Sequence, residues 1–112
     1  MVEVYTPDRG DIVWFNFSPQ VGHEQAGVRP ALVLSPIFYN QRSGMMLACP
    51  ITSKTKQYPF EVRIKAKKID GVILADQVKS VDWRERKPQF GGAADTKAVS
   101  KTQALVESLV SG

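Results

Sequence analysis

The chain has 112 residues, 43% of them apolar and 23% charged, with a formal net charge of +4. That length supports one hydrophobic core, so residues 1–112 are expected to form a single domain, and the composition excludes a disordered chain. The lone cysteine, Cys49, excludes a disulfide scaffold and a cysteine zinc site.

Gly10 precedes the first expected element. From Asp11 to Phe17, Val13, Phe15 and Phe17 alternate with Ile12, Trp14 and Asn16, a period of two that predicts a strand. Ser18 to Val28 carries Pro19, Gly22 and Gly27 among polar residues and predicts a loop long enough to be functional. Pro30 starts the run Ala31-Leu32-Val33-Leu34, apolar at successive positions, which predicts a strand buried on both faces. Pro36 to Ser43 reads as a turn or single helical turn ending at Gly44. Met45 to Ile51 is a third strand, broken by Pro50, and the polar stretch 52–57 leaves it. Phe60, Val62 and Ile64 alternate with Glu61, Arg63 and Lys65 in a fourth strand with one wet face.

Ile69-Asp70-Gly71 is a hairpin-turn signal, and Lys65 to Lys68 reads as a solvated hairpin tip. Val72 to Val81 is expected as a fifth strand, interrupted by Asp76 and Gln77; a carboxylate buried there must be paired or placed at a site. Asp82 to Gln89 reads as irregular and Gly91-Gly92 as a break. From Asp95 on, Val99, Thr102, Val106 and Val110 recur at three and four residues, predicting an amphipathic helix with Asp95 or Thr96 at its N-cap. Five strands and one helix, with no helix between strands, point to a mainly β (α+β) fold, a small antiparallel barrel.

The chemistry-bearing residues sit on loops and strand ends. Gly22 to Pro30 gathers His23, Glu24, Gln25 and Arg29, and Arg29 stands at the mouth of an apolar strand, where its guanidinium can grip a phosphate with paired donors. The same arginine also fits a bracing ion pair with Glu24 or Asp76. Thr52 is at a strand exit, where a threonine commonly bonds a turn backbone. Phe17, at a loop end, is a candidate for stacking a base. Cys49 reads as a small buried hydrophobe. A lone histidine, a lone cysteine and scattered carboxylates supply no metal set, and no phosphate-cradling glycine loop or nucleophile elbow is present. The basic charge suits a polyanion. The first residues lack an apolar core of signal-peptide length, and no run approaches a membrane span, so a cytoplasmic protein with no membrane contact is expected.

The run Gly10-Asp11-Ile12-Val13-Trp14, Pro19, Gly22-His23-Glu24-Gln25-Ala26-Gly27 and Arg29-Pro30-Ala31 resembles the N-terminal signature of the MazF/PemK toxins. The likeness continues through Val33-Leu34-Ser35-Pro36, Pro50-Ile51-Thr52, Tyr58-Pro59-Phe60-Glu61-Val62 and Ala75-Asp76-Gln77-Val78-Lys79-Ser80, and is closest to the MazF branch. It implies a small SH3-like barrel of the MazF/CcdB type with a C-terminal helix. It implies a toxin of a type II toxin–antitoxin system, a cofactor-free, metal-independent endoribonuclease cutting single-stranded RNA to 2′,3′-cyclic phosphate and 5′-hydroxyl ends. The implied partners are a second copy of the chain and a MazE-like antitoxin, with DNA engaged only through the antitoxin complex. Residue by residue, the resemblance implies Arg29, Thr52 and Glu24 as catalytic groups and Phe17, His23, Gln25, Lys56, Asp76 and Gln77 as RNA contacts. The PemK branch pairs His23 and Asp76 as acid and base with an arginine two positions before the aspartate. Leu74 stands there in this chain, which moves the expectation to Arg29 and Thr52. The alternative is a CcdB-like toxin that binds gyrase and cuts nothing.

Overall fold

The computed structural model describes residues 4–17 and 27–112. Seven strands fill one strongly curled antiparallel sheet: β1 (Asp11–Asn16), β2 (Val28–Val33), β3 (Met45–Thr52), β4 (Glu61–Ala66), β5 (Ile69–Leu74), β6 (Lys79–Asp82) and β7 (Gln89–Ala93). Their order is β4-β5-β3-β2-β1-β7, with β6 also on β3. Helices α1 (Ile37–Ser43), α2 (Trp83–Arg86) and α3 (Thr96–Ser111) complete the chain. The expected mainly β architecture with a C-terminal helix is present; the sheet curls into a half-barrel, with seven strands among the described residues rather than five.

Continuous apolar runs in β2 and β3 follow from burial on both faces. On one side Ile12, Leu32, Cys49, Ile51, Val62, Ile64 and Ile73 pack beneath Ala98 and Val99 of α3. On the other, Val13, Phe15, Ala31, Val33, Met46 and Ala48 pack with Val81 and Trp83. The Asp95 carboxylate caps α3 by accepting the Ala98 amide at 2.7 Å. Helix α1 is a complete short helix rather than a loose turn, closed by Gly44 in the left-handed conformation. The buried Asn40 ties it down: its Nδ2 donates to the Pro7 and Ser35 carbonyls, and its own carbonyl accepts from the Trp83 indole at 2.9 Å.

Other expectations change as well, beginning with Asp82 to Gln89, expected to be irregular, which holds helix α2 capped by the Asp82 carboxylate. The hairpin turns at Lys67-Lys68, with Lys67 at φ 34°, while Asp70 and Gly71 lie inside β5 opposite Lys65 and Ile64. Gly71 answers a different need: a Cβ on it would stand 2.2 Å from the Thr52 carbonyl oxygen. The run 72–81 is not one strand, because a 3-10 turn over Ala75–Gln77 divides β5 from β6 and exposes Asp76 and Gln77. No buried carboxylate has to be accommodated there. Gly91 and Gly92 continue β7 rather than breaking the chain, and Gly91 leaves room for the Trp14 indole, whose Nε1 would lie 2.5 Å from a Cβ.

β3 changes its outer neighbour midway. Met45 to Ala48 pair with β6, and Ile51 and Thr52 pair with Ile73 and Val72 of β5. Pro50 falls between the two pairings, where a strand tolerates a residue without an amide N–H, so it bends β3 without ending it. Among the described residues no helix is long and apolar enough to cross a membrane.

Candidate active site

The register of β2 on β3 brings the two central residues together. Ala31 pairs with Pro50, Leu32 with Cys49 and Val33 with Ala48. Carried two residues past the last pair, that register sets Arg29 opposite Thr52, and directly opposed residues of an antiparallel pair are neighbours. Both side chains line one groove of about 420 Å³ with Lys54, Lys56, Tyr58, Glu61, Leu74, Asp76 and Gln77. Five residues chosen from the sequence, Arg29, Thr52, Lys56, Asp76 and Gln77, thus share one surface. Phe17 does not join them. It lies at the end of β1 in a separate groove with Asn16, Lys79 and Arg86. Its ring stacks on Phe15 with centroids 4.3 Å apart, and the Lys79 ammonium lies 5.3 Å from its centre. His23, Glu24 and Gln25 lie outside the described residues.

Thr52 combines two roles that the sequence left as alternatives. Its Oγ1 accepts the Lys54 amide at 3.2 Å, as a turn threonine does, and no described group takes its own proton. A hydroxyl held by one lone pair keeps its O–H to donate elsewhere. Arg29 is exposed, and no ion pair joins it to Asp76. Among the described residues the one ion pair is Arg63–Asp70 at 3.0 Å.

The loop after Thr52 supplies groove residues that the sequence reading passed over: Lys54, Tyr58 and Glu61. Glu61 begins β4 and turns back to the loop. Its carboxylate accepts the Thr55 hydroxyl and, at 2.9 Å, the Lys56 amide. Those bonds, Thr55's first, hold its carboxyl below the usual carboxylate range. Tyr58 is 48% exposed and stands 5.9 Å from the Phe60 ring. An aromatic pair bracketing a proline in an otherwise polar segment was the available signal. Beneath the groove, burial first and the Asp76 charge second push the Cys49 thiol up to about 12. Cys49 is the inert core residue expected. The groove thus presents three cations, Arg29, Lys54 and Lys56, against two carboxylates, of which Glu61 has both oxygens engaged by the loop.

The family model of the PemK-like, MazF-like toxins of type II toxin–antitoxin systems matches residues 8–110. The chain belongs to this family. It is 46% identical over 110 residues to the endoribonuclease toxin MazF of Escherichia coli strain K12, spanning 98% of this chain and 99% of that protein. To the endoribonuclease toxin ChpB of the same strain it is 41% identical, over 96% of this chain and all of that one. The fold superposes on the MazE–MazF complex (Form-II) of Deinococcus radiodurans with a TM-score of 0.89 and 48% identity, covering 96% of this chain and 97% of the other. In this chain Arg29 and Thr52 stand on the facing ends of β2 and β3.

Proposed function

We propose that this MazF-like toxin is a cytoplasmic, metal-independent endoribonuclease that cuts single-stranded RNA with Arg29 and Thr52 as the groups that grip the scissile phosphate. The observation that carries this reading is their position on one groove with Lys54 and Lys56. In transesterification the 2′-hydroxyl is the nucleophile, so the protein has to orient it, stabilise charge and move protons. The Arg29 guanidinium offers two parallel donors to the non-bridging oxygens as negative charge builds, and the Thr52 hydroxyl adds a third bond. The 2′-oxygen bonds to phosphorus, the 5′-oxygen leaves with a proton, and the products are a 2′,3′-cyclic phosphate and a 5′-hydroxyl. Arg29 is a poor base at neutral pH, which leaves proton removal to Glu24 or His23. Lys54 and Lys56 hold flanking phosphates, and Tyr58 and Gln77 offer a stacking face and an amide to unpaired bases.

Support for an antitoxin partner comes from the MazE–MazF complex of Deinococcus radiodurans. An acidic MazE-like segment suits the same cationic groove, and DNA is reached only through that complex. The chain acts as a homodimer.

Incubation of the purified protein with a long single-stranded RNA in EDTA should give discrete cuts ending in cyclic phosphate. Arg29→Ala and Thr52→Ala should each slow cutting by about 10²- to 10³-fold, the worth of one preorganised donor. RNA left intact by the wild type would favour a toxin that binds a protein target, and full activity in both variants would remove the site assignment.

A further inference from the structure

Arg29 and Thr52 line two grooves, and among the described residues they are the ones the two have in common. The second groove, about 280 Å³, is walled by Trp14, Pro30, Ser53, Lys68 and Asp70. We propose that it is a second nucleotide subsite, so that one RNA strand crosses the Arg29–Thr52 pair with the nucleotides on either side of the scissile phosphate in separate grooves. The proposal rests on the endoribonuclease reading and extends it to the hairpin tip, which the sequence presents only as a solvated turn.

A phosphodiester held between two side chains carries a nucleoside on each side, and a strand that crosses the pair without doubling back runs from the first groove into the second. The second groove is at the lower edge of small-ligand pocket sizes, suited to a single base or sugar-phosphate unit. Its charge favours an anion. Lys68 is exposed and makes no ion pair among the described residues, whereas Asp70 is held from outside the groove by Arg63. The two-residue turn between Ala66 and Ile69 fixes the Lys68 backbone beside the groove. Trp14 supplies an indole of the kind on which bases stack, and the missing side chain at Gly91 is what lets that ring occupy its place.

The test uses oligonucleotides spanning the site the wild type cuts, with deoxyribose at the scissile position so that binding is read without cleavage. Lys68→Ala should weaken binding roughly three- to tenfold and flatten the salt slope by about 0.7, the loss of one phosphate contact on a single strand. That defect should vanish when the nucleotides on one side of the scissile position are removed, and the defect of Lys56→Ala should vanish only with the opposite truncation. Lys68→Ala binding like wild type, or both defects vanishing with the same truncation, overturns the subsite while leaving the ribonuclease standing. A wild type that neither cuts the all-ribose form nor binds its analogue removes both.

Discussion

The tightest constraint on the candidate site is the absence of a side chain at position 71. A Cβ there would lie 2.2 Å from the Thr52 carbonyl oxygen, 2.9 Å from its carbonyl carbon and 3.1 Å from the Ser53 Cα. All three are backbone atoms, so no side-chain rotation relieves the clash. Ordinary contact begins at 3.4 Å, so Gly71→Ala must drive β3 and β5 apart by about 1 Å where Thr52 pairs with Val72. Overpacking of this kind costs about 1–3 kcal/mol, which for a domain of this size lowers Tm by roughly 5–15 °C. The catalytic loss should be larger in proportion, because a displacement of about 1 Å from reacting geometry costs on the order of 100-fold. The assay is the cutting rate at saturating RNA, well below the variant's Tm, alongside a thermal melt. Ile64→Val supplies the control: it trims a buried core residue of the neighbouring β4 at a cost of about 0.5–1.5 kcal/mol without pushing on Thr52, and should keep the wild-type rate. A folded Gly71→Ala that cuts at full speed would refute the argument. So would an Ile64→Val that loses as much rate, since activity would then follow stability rather than the position of Thr52.

Glu61→Ala should free the loop that carries Lys54 and Lys56, read as faster amide exchange at Lys56. Because the folded-state pKa of Glu61 is depressed, its contribution is present at neutral pH and is lost only as pH falls through that lowered value. Wild-type exchange should therefore stay slow into mild acid, and equal exchange in the two proteins at neutral pH would dismiss the clamp. Cys49, with its pKa pushed up to about 12 by burial, should resist alkylation in the native state and react only on unfolding. A raised pKa here also means stability is lost as pH climbs past the ordinary thiol value, about 8.5, a decline that Cys49→Ala should lessen; rapid native labelling would contradict the burial. Val4, Phe38, Phe90, Leu109 and Val110 remain 79%, 67%, 56%, 48% and 83% exposed, apolar surface that a second copy would cover. Sedimentation at micromolar concentration should accordingly show a dimer, and a pure monomer rejects it.

Local rules recovered the elements whose causes are local. Alternation in Asp11–Phe17 and Phe60–Lys65 marks strands because one period describes which face is buried, and Asp95 marks a helix start because its carboxylate bonds its own helix amide. Three of the misreadings trace to distant neighbours: Gly71 and the Gly91-Gly92 pair read as a turn and a break, and the polar pair Asp76-Gln77 reads as an interruption within one strand where the chain in fact turns. Gly71 answers the Thr52 backbone, and Gly91 answers the Trp14 ring. Asp76 and Gln77 are tolerated in an apolar run because the chain turns outward there to move from the β5 to the β6 pairing with β3. None of those neighbours is near in the sequence.

Arg29 and Thr52 are 23 positions apart, and no periodicity links them. What joins them is the antiparallel register of β2 on β3, in which Ala31 faces Pro50. A slip of one residue would turn one of the two side chains to the other face of the sheet. Burial on both faces of these strands is what makes such a slip costly, since Leu32 would exchange cores with Val33, or Cys49 with Ala48, depending on which strand slips. The apolar run that reads in the sequence as nothing more than a buried strand is therefore what aligns the guanidinium with the hydroxyl. Core substitutions that loosen this register should cost activity before they cost the fold.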